Sequence, residues 1–186
     1  NKDTKNTVTN NITDSSDIIS QYDSHYYLNA CGGCHSFQQD GSLYSSDPRI
    51  LNLLAVVSLF YDKGNLLDLG CGRGEVCLKF AMQGFTCTGV DYSKYAIEIA
   101  NNEKCLHPKL ADKINYILSS ITTYFPPKEF DVIVASDVIE HMTDDELSLC
   151  YKMVSNTLSE NGIFVVHTFP NSWYYDYHYS RKKRKV

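Results

Sequence analysis

Three glycines alternate over the segment Leu66-Leu67-Asp68-Leu69-Gly70-Cys71-Gly72-Arg73-Gly74-Glu75. An apolar run of strand type precedes them and a run of helix type follows. Glycine tolerates positive φ and lets a ligand approach the backbone closely. The start of the following helix offers N–H groups that have no intrahelical partner. Asp91 stands 17 residues after Gly74, where the next apolar run ends in Gly89-Val90-Asp91-Tyr92-Ser93. A carboxylate there can accept hydrogen bonds from both hydroxyls of a ribose, the nucleoside-binding arrangement of Rossmann-like domains. The spacing Gly-x-Gly-x-Gly differs from the Gly-x-Gly-x-x-Gly that places a dinucleotide pyrophosphate on a helix N-terminus. Asp68, two residues before the first glycine, would repel a pyrophosphate and attract a cationic amino-acid nucleoside. A tight turn alone would need neither Asp91 nor the flanking strand and helix.

Positioning these residues takes a regular alternation of elements. Pro48 opens a helix in which Ile50, Leu53, Leu54, Val57 and Phe60 recur at helical spacing, with Asp47 as its N-cap. Strand Leu66–Leu69 follows, then helix Glu75–Gln83 with Val76, Cys77, Phe80 and Ala81 on one face, ended by Gly84. Strand Phe85–Val90 leads to helix Lys94–Asn102, which carries Ala96, Ile97, Ile99 and Ala100. Strands are expected at Ile114–Leu118, Phe130–Ala135 and Gly162–His167, with helix Asp144–Leu158 turning Leu147, Cys150, Tyr151, Val154 and Leu158 inward. The strands are near-continuous apolar runs, as strands buried on both faces should be. The expected fold is therefore α/β: a Rossmann-like, doubly wound, mostly parallel sheet with helices on both faces. It spans residues 48–170, after an N-terminal arm and lid-like lead-in over 1–47 and before an aromatic and basic tail over 171–186.

On these residues the sequence resembles the class I S-adenosylmethionine (SAM)-dependent methyltransferases. Leu67 to Glu75 is similar to their first motif, and Val90-Asp91-Tyr92-Ser93 with Ala96, Ile97 and Ala100 to their second. Phe130-Asp131-Val132-Ile133-Val134-Ala135-Ser136-Asp137-Val138-Ile139-Glu140-His141 is similar to their fourth, including the Glu-His pair. Leu158 to Phe164 is similar to their turn into strand five. The resemblance implies SAM as cofactor, a small-molecule methyl acceptor, and a cofactor-binding set of Asp68, Gly70, Cys71, Gly72, Gly74, Asp91, Tyr92, Ser119, Ser120 and Ser136. The glycines would pass under the methionine part and Asp91 would hold the ribose. His141 follows strand four, where the acceptor sits in the family, and is the candidate general base; a histidine that only caps or packs at a helix start is the plainer alternative. Two features depart from the pattern. Ser119-Ser120 stands where many members carry an Asp for the adenine amine, so adenine recognition is expected from a serine or from backbone groups. Only 19 residues follow His167, too few for the helix and antiparallel strand pair that usually close the sheet, so either the sheet ends short or the sequence is partial.

The remaining features set bounds. A 43% hydrophobic content supports a substantial core, and a formal net charge of −5 argues against a polyanion binder, nucleic acid included. The longest apolar run, Leu53–Phe60, is interrupted by Ser58 and far short of a membrane span. No secretory signal opens the chain, and its first residue is Asn1 rather than Met. Four of the seven cysteines, Cys71, Cys77, Cys87 and Cys105, fall in segments of core type, which points to reduced thiols and a cytoplasmic setting. Cys31-Gly32-Gly33-Cys34-His35 lacks a second ligand pair and a preceding strand, so a Gly-rich turn covering the cleft is expected rather than a metal or redox site. Tyr22, Tyr26 and Tyr27 are candidates for a lid over the cleft, or for packing of the lead-in on the sheet. Arg181-Lys182-Lys183-Arg184-Lys185 resembles a nuclear-import signal, although a solvated chain end is the plainer reading. Two rival functions remain: a catalytically silent binding module on the same fold, and a nucleotide-dependent oxidoreductase, against which the glycine spacing and Asp68 argue.

Overall fold

The computed structural model describes residues 25–30, 47–127 and 129–169. A π-helical turn, Tyr26–Ala30, precedes α1 (Pro48–Val57), β1 (Asn65–Leu69), α2 (Glu75–Gln83), β2 (Thr86–Asp91), α3 (Lys94–Cys105) and α4 (Pro108–Ala111). Then come β3 (Ile114–Leu118), β4 (Phe130–Ser136), a 3₁₀ turn (Ile139–His141), α5 (Asp144–Thr157) and β5 (Leu158–His167). The five strands form one sheet in the order β3-β2-β1-β4-β5, and every neighbouring pair is parallel. Because all strands run the same way, all their carboxyl ends lie along one edge. The chain winds outward from β1 to β3 and then crosses back to β4, so the order reverses between β1 and β4, where this class of sheet opens a crevice.

Both faces are covered. On one face Ile50, Leu53 and Val57 of α1 pack with Val76, Cys77, Phe80 and Ala81 of α2 and Ala100 of α3 against Leu66, Cys87, Val132 and Val134. On the other, Cys150, Met153 and Val154 of α5 join Ile121 and Tyr124 against Leu67, Leu69, Val90, Ile133 and Ala135. The alternation within β1 follows strand geometry: Leu66 and Asp68 turn toward one layer, Leu67 and Leu69 toward the other. Asp47 caps α1 as expected, accepting the Arg49 N–H at 2.9 Å. Gly84 closes α2 in the left-handed conformation at φ 109°.

The structure corrects several details. α1 stops at Val57, so Phe60 lies beyond the helix and is 64% exposed. The buried stripe of α5 is Cys150, Met153, Val154 and Thr157; Tyr151 falls to its side and meets Phe164 edge-on at 6.3 Å. Cys105 is exposed, because it ends α3 off the stripe that buries Ala96 and Ala100, whereas Cys71, Cys77 and Cys87 are buried as expected. β5 begins at Leu158, directly after α5: Leu158 pairs with Phe130 and Ile163 with Val132, so the intervening residues, Asn161-Gly162 included, bulge out of the ladder. The short helix α4, opened by Pro108, has too few turns to show a periodicity in sequence. Cys31 to His35, Tyr22, the arm over 1–21 and the Arg181–Lys185 run lie outside the described residues.

The glycine loop is forced by two different constraints. Gly74 sits at φ 81°, and a Cβ there would overlap the Tyr116 hydroxyl, which donates to the Gly74 carbonyl at 3.1 Å. Gly72 sits at φ 51°, but among the described residues its Cβ would meet only the Tyr27 ring, at 3.8 Å. Left-handed backbone costs an L-residue about 1–2 kcal/mol at either site, and Gly74 adds the overlap. Gly74→Ala should therefore lower the urea midpoint clearly more than Gly72→Ala does; equal losses would show that Tyr116 does not brace the loop.

Candidate functional site

The loop after β1 and the end of β2 are joined by one carboxylate. Asp91 Oδ2 accepts the Gly72 N–H at 2.9 Å and Oδ1 accepts the Ser93 N–H at 2.8 Å. The first bond fixes the middle glycine; the second holds the turn into α3, where the Ser93 hydroxyl caps Ala96 N at 3.4 Å. The backbone reinforces the join, since Gly70 N and Cys71 N both donate to the Val90 carbonyl, at 2.8 and 3.0 Å. Asp91 is 5% exposed; burial raises its carboxyl pKa, and the N–H donors of Ser93, Gly72 and Tyr92 pull it back down.

Asp68 lies beneath the loop. It is 1% exposed, and the Cys77 thiol donates to its Oδ2 at 3.7 Å. Burial pushes its carboxyl pKa up to about 8, the thiol bond opposes this and the charge of Asp91 adds to it. A third buried acid, Glu75, opens α2 and carries its own cation: the Arg73 Nη2 and Nε atoms reach Oε2 at 2.5 and 3.0 Å. The Arg73 guanidinium also donates from Nη1 to the Tyr27 carbonyl at 2.7 Å, which ties the π-helical turn to the loop. Tyr27 itself is buried, with its ring against Gly72 and its hydroxyl paired with the Ser93 side chain. Burial and the Asp91 charge both hold the phenol protonated.

The other residues singled out in sequence are distributed around the same edge. Tyr92 is 39% exposed directly after Asp91. Ser119 N donates to the Asp91 carbonyl at 3.0 Å, while its hydroxyl donates to the Ser120 carbonyl at 3.2 Å. The Ser120 and Thr122 hydroxyls are 2.9 Å apart within a turn. Ser136 ends β4 opposite His167 of β5. His141 is exposed at the end of the 3₁₀ turn, its N–H on the Val138 carbonyl at 3.1 Å. Thus Asp91, Gly70, Cys71, Gly72, Gly74, Tyr92 and Ser119 come together around β1 and β2, with Asp68 below, and Ser136 and His141 border β4. Sequence reasoning passed over Arg73, Tyr116, Asp137, Arg49 and His167. Arg73 sits inside the motif, and an arginine there followed by Glu75 was the available signal; Asp137 lies within the fourth motif, and the other three have no local pattern.

Among the described residues, no group of three or more His, Cys, Asp or Glu could hold a metal ion, and no helix is long and apolar enough to cross a membrane.

A parallel sheet with a glycine loop after β1 and an acid at the end of β2 defines a nucleoside-binding domain of the methyltransferase type. The comparisons with known proteins agree. The chain belongs to the methyltransferase domain family, whose pattern it matches over residues 47–185. It is 33% identical over 112 residues to a ubiquinone biosynthesis O-methyltransferase of Bradyrhizobium diazoefficiens, a match that covers 58% of this chain and 41% of that protein. A ubiquinone biosynthesis O-methyltransferase of Pelagibacter ubique is 31% identical over 131 residues, covering 70% of this chain and 48% of its own length. The chain thus spans less than half the length of these relatives. In fold it is similar to the CcbJ methyltransferase of Streptomyces caelestis, with TM-score 0.61, 21% identity and coverage of 78% and 58% of the two chains. The glycopeptide N-methyltransferase MtfA in complex with SAM gives TM-score 0.59 at 18% identity, with coverage of 66% and 55%.

Two stability experiments follow from the buried charges. Arg73→Met strands the Glu75 carboxylate in the interior and should cost about 3–5 kcal/mol in urea unfolding, with Arg73→Met/Glu75→Gln recovering much of it. A loss below about 1 kcal/mol would show that water reaches Glu75. For Asp68 the sign runs toward acid. Its folded pKa is raised, so from about pH 4 to about pH 8 the folded chain keeps a proton that the unfolded chain releases, and stability falls as pH rises. Asp68→Asn should remove about one proton's worth of that slope when urea midpoints are compared across the window. An unchanged slope would mean that Asp68 is ionised in the fold.

Proposed function

We propose that this chain is the cofactor-binding part of a SAM-dependent methyltransferase acting on a small-molecule acceptor. The observation that carries the reading is the Asp91 carboxylate, which reaches both the Gly72 N–H and the Ser93 N–H, while a Cβ at Gly72 would meet, among the described residues, only the Tyr27 ring at 3.8 Å. Each carboxylate oxygen accepts more than one hydrogen bond, so Asp91 can take the two ribose hydroxyls in addition to its backbone donors. Gly70, Cys71, Gly72 and Gly74 would line the methionine part. Tyr92 would flank the ribose, Ser119 and Ser120 the adenine, and Ser136 the acceptor side. Tyr27 would close over the bound nucleoside from the lead-in, the lid expected for that segment.

The charge of the site fits this cofactor. Asp68 and Asp91 are both buried, no Lys or Arg among the described residues is bonded to their carboxylates, and the one arginine of the loop is engaged by Glu75. A cation entering above the loop lowers the free energy of these carboxylates; a pyrophosphate raises it. When bound, SAM supplies a sulfonium-activated methyl group, so the chain's own task is to bind, orient the acceptor and exclude water. The acceptor would enter over Ser136 to His141, with His141 the candidate base drawn from sequence. The buried thiols of Cys71, Cys77, Cys87 and Cys150 support a reducing, cytoplasmic setting. Relatives named as O-methyltransferases support oxygen as the atom methylated.

Calorimetry tests the reading directly. The chain should bind SAM and S-adenosylhomocysteine and not NAD. Binding of NAD at micromolar level without SAM binding would end it. Asp91→Ala should weaken SAM by about 1.5–3 kcal/mol, the range for hydrogen bonds to a charged group. An unchanged SAM affinity would remove Asp91 as the ribose ligand.

A further inference from the structure

At the carboxyl end of β4 the chain turns through Asp137, the single non-glycine residue at positive φ (54°) among the described residues. Three bonds hold this turn. The Asp137 N–H donates to the His167 carbonyl at 2.8 Å, Asp137 Oδ1 faces His167 Nδ1 at 2.8 Å, and Arg49 Nη1 donates to Asp137 Oδ2. Arg49 is itself fixed, with Nε and Nη2 on the Asp47 carboxylate at 3.0 and 2.5 Å. Backbone held in a sparsely populated region by convergent side-chain bonds is a mark of functional sites. The place is suggestive too. His167 ends β5 in register with Ser136, and Val138, next to Asp137, packs against Gly70 of the glycine loop.

We propose that His167 is the proton acceptor for a hydroxyl-bearing methyl acceptor, and that Asp137 and Arg49 are the positioning residues that orient it. The inference rests on the methyltransferase reading above. A carboxylate facing Nδ1 selects the tautomer with hydrogen on Nδ1, which leaves the lone pair on Nε2. The same carboxylate then stabilises the imidazolium once Nε2 has taken a proton, the orienting role an aspartate plays in Ser-His-Asp sites. Arg49 prevents Asp137 from swinging away. The His167 side chain is 32% exposed at the carboxyl edge of the sheet, so a small molecule can reach it. The step balances: the acceptor oxygen uses a lone pair to form the new O–C bond, the S–C bond breaks with its electrons passing to sulfur, and the O–H proton passes to Nε2. Among the described residues, the charged groups linked to His167 are Asp137 and, through it, Arg49 and Asp47, while Glu140 accepts from the neighbouring Thr168 Oγ1 at 3.0 Å.

The test uses ¹⁵N NMR of the full chain saturated with S-adenosylhomocysteine, with calorimetry on the same sample and catechol as the probe hydroxyl. The expected result is a neutral His167 carrying hydrogen on Nδ1, with an Nε2 resonance that shifts on adding catechol. Asp137→Asn should redistribute the tautomer, an effect that a merely structural role would not produce. His167→Gln and His167→Ala should each lower methyl transfer from SAM to catechol by about 10²-fold and lose the ascending limb of the pH–rate profile, with SAM affinity unchanged. Hydrogen on Nε2, or an Nε2 resonance indifferent to catechol while the cofactor product is bound, overturns the assignment and leaves the methyltransferase reading standing. So does a rate loss confined to His141→Ala. Failure to bind S-adenosylhomocysteine at all overturns both.

Discussion

The carboxylate of Asp91 receives an N–H from each of two segments that are distant in sequence, Gly72 in the loop after β1 and Ser93 at the start of α3. Gly72 has left-handed backbone, and the Ser93 turn carries its own cap and the Tyr27 hydroxyl. Joined through one buried acid, they set the distance between the loop and the β2 edge. Tyr116 braces the loop from β3 and Arg73 fastens the π-helical turn over it. The cleft is thus a consequence of hydrogen bonds made to a group whose burial is itself unfavourable, and those bonds offset part of that cost.

The electrostatics of this arrangement are lopsided. Asp68, Glu75 and Asp91 are all buried within one strand–loop–helix unit, and Arg73 is committed to Glu75. Asp68 responds by holding its proton to about pH 8, with only a thiol for company. A sulfonium or an ammonium bound above the loop would favour release of the Asp68 proton and the ionised form of Asp91, whereas a pyrophosphate would oppose both. Negative potential from groups that do not touch a ligand can still select its charge.

The other half of the edge works by geometry. β4 and β5 are in parallel register, so Ser136 and His167 end side by side, and the left-handed turn at Asp137 folds its carboxylate back onto the histidine. Arg49 brings α1 into the same cluster. The helix that opens the domain and the strand that comes last among the described residues therefore meet at one carboxylate.

The sequence by itself determined the elements and the loop, because both are written locally. Glycine at alternate positions, an apolar run before and a 3.6-residue period after are properties of neighbours in the chain. Asp91 was legible for a similar reason, since the βαβ unit has a characteristic length. The bounds were less so: α1 ended before Phe60, the α5 stripe took Met153 rather than Tyr151, and β5 started at Leu158, because packing partners rather than periodicity decide such edges. What only the tertiary structure decided was every bond between residues remote in sequence. The Arg73 link to Tyr27, the Tyr116 brace under Gly74 and the Arg49–Asp137–His167 cluster leave no spacing to read. They exist because a parallel sheet brings all its carboxyl ends to one edge, and the order in which strands lie along that edge is set by the winding of the whole chain.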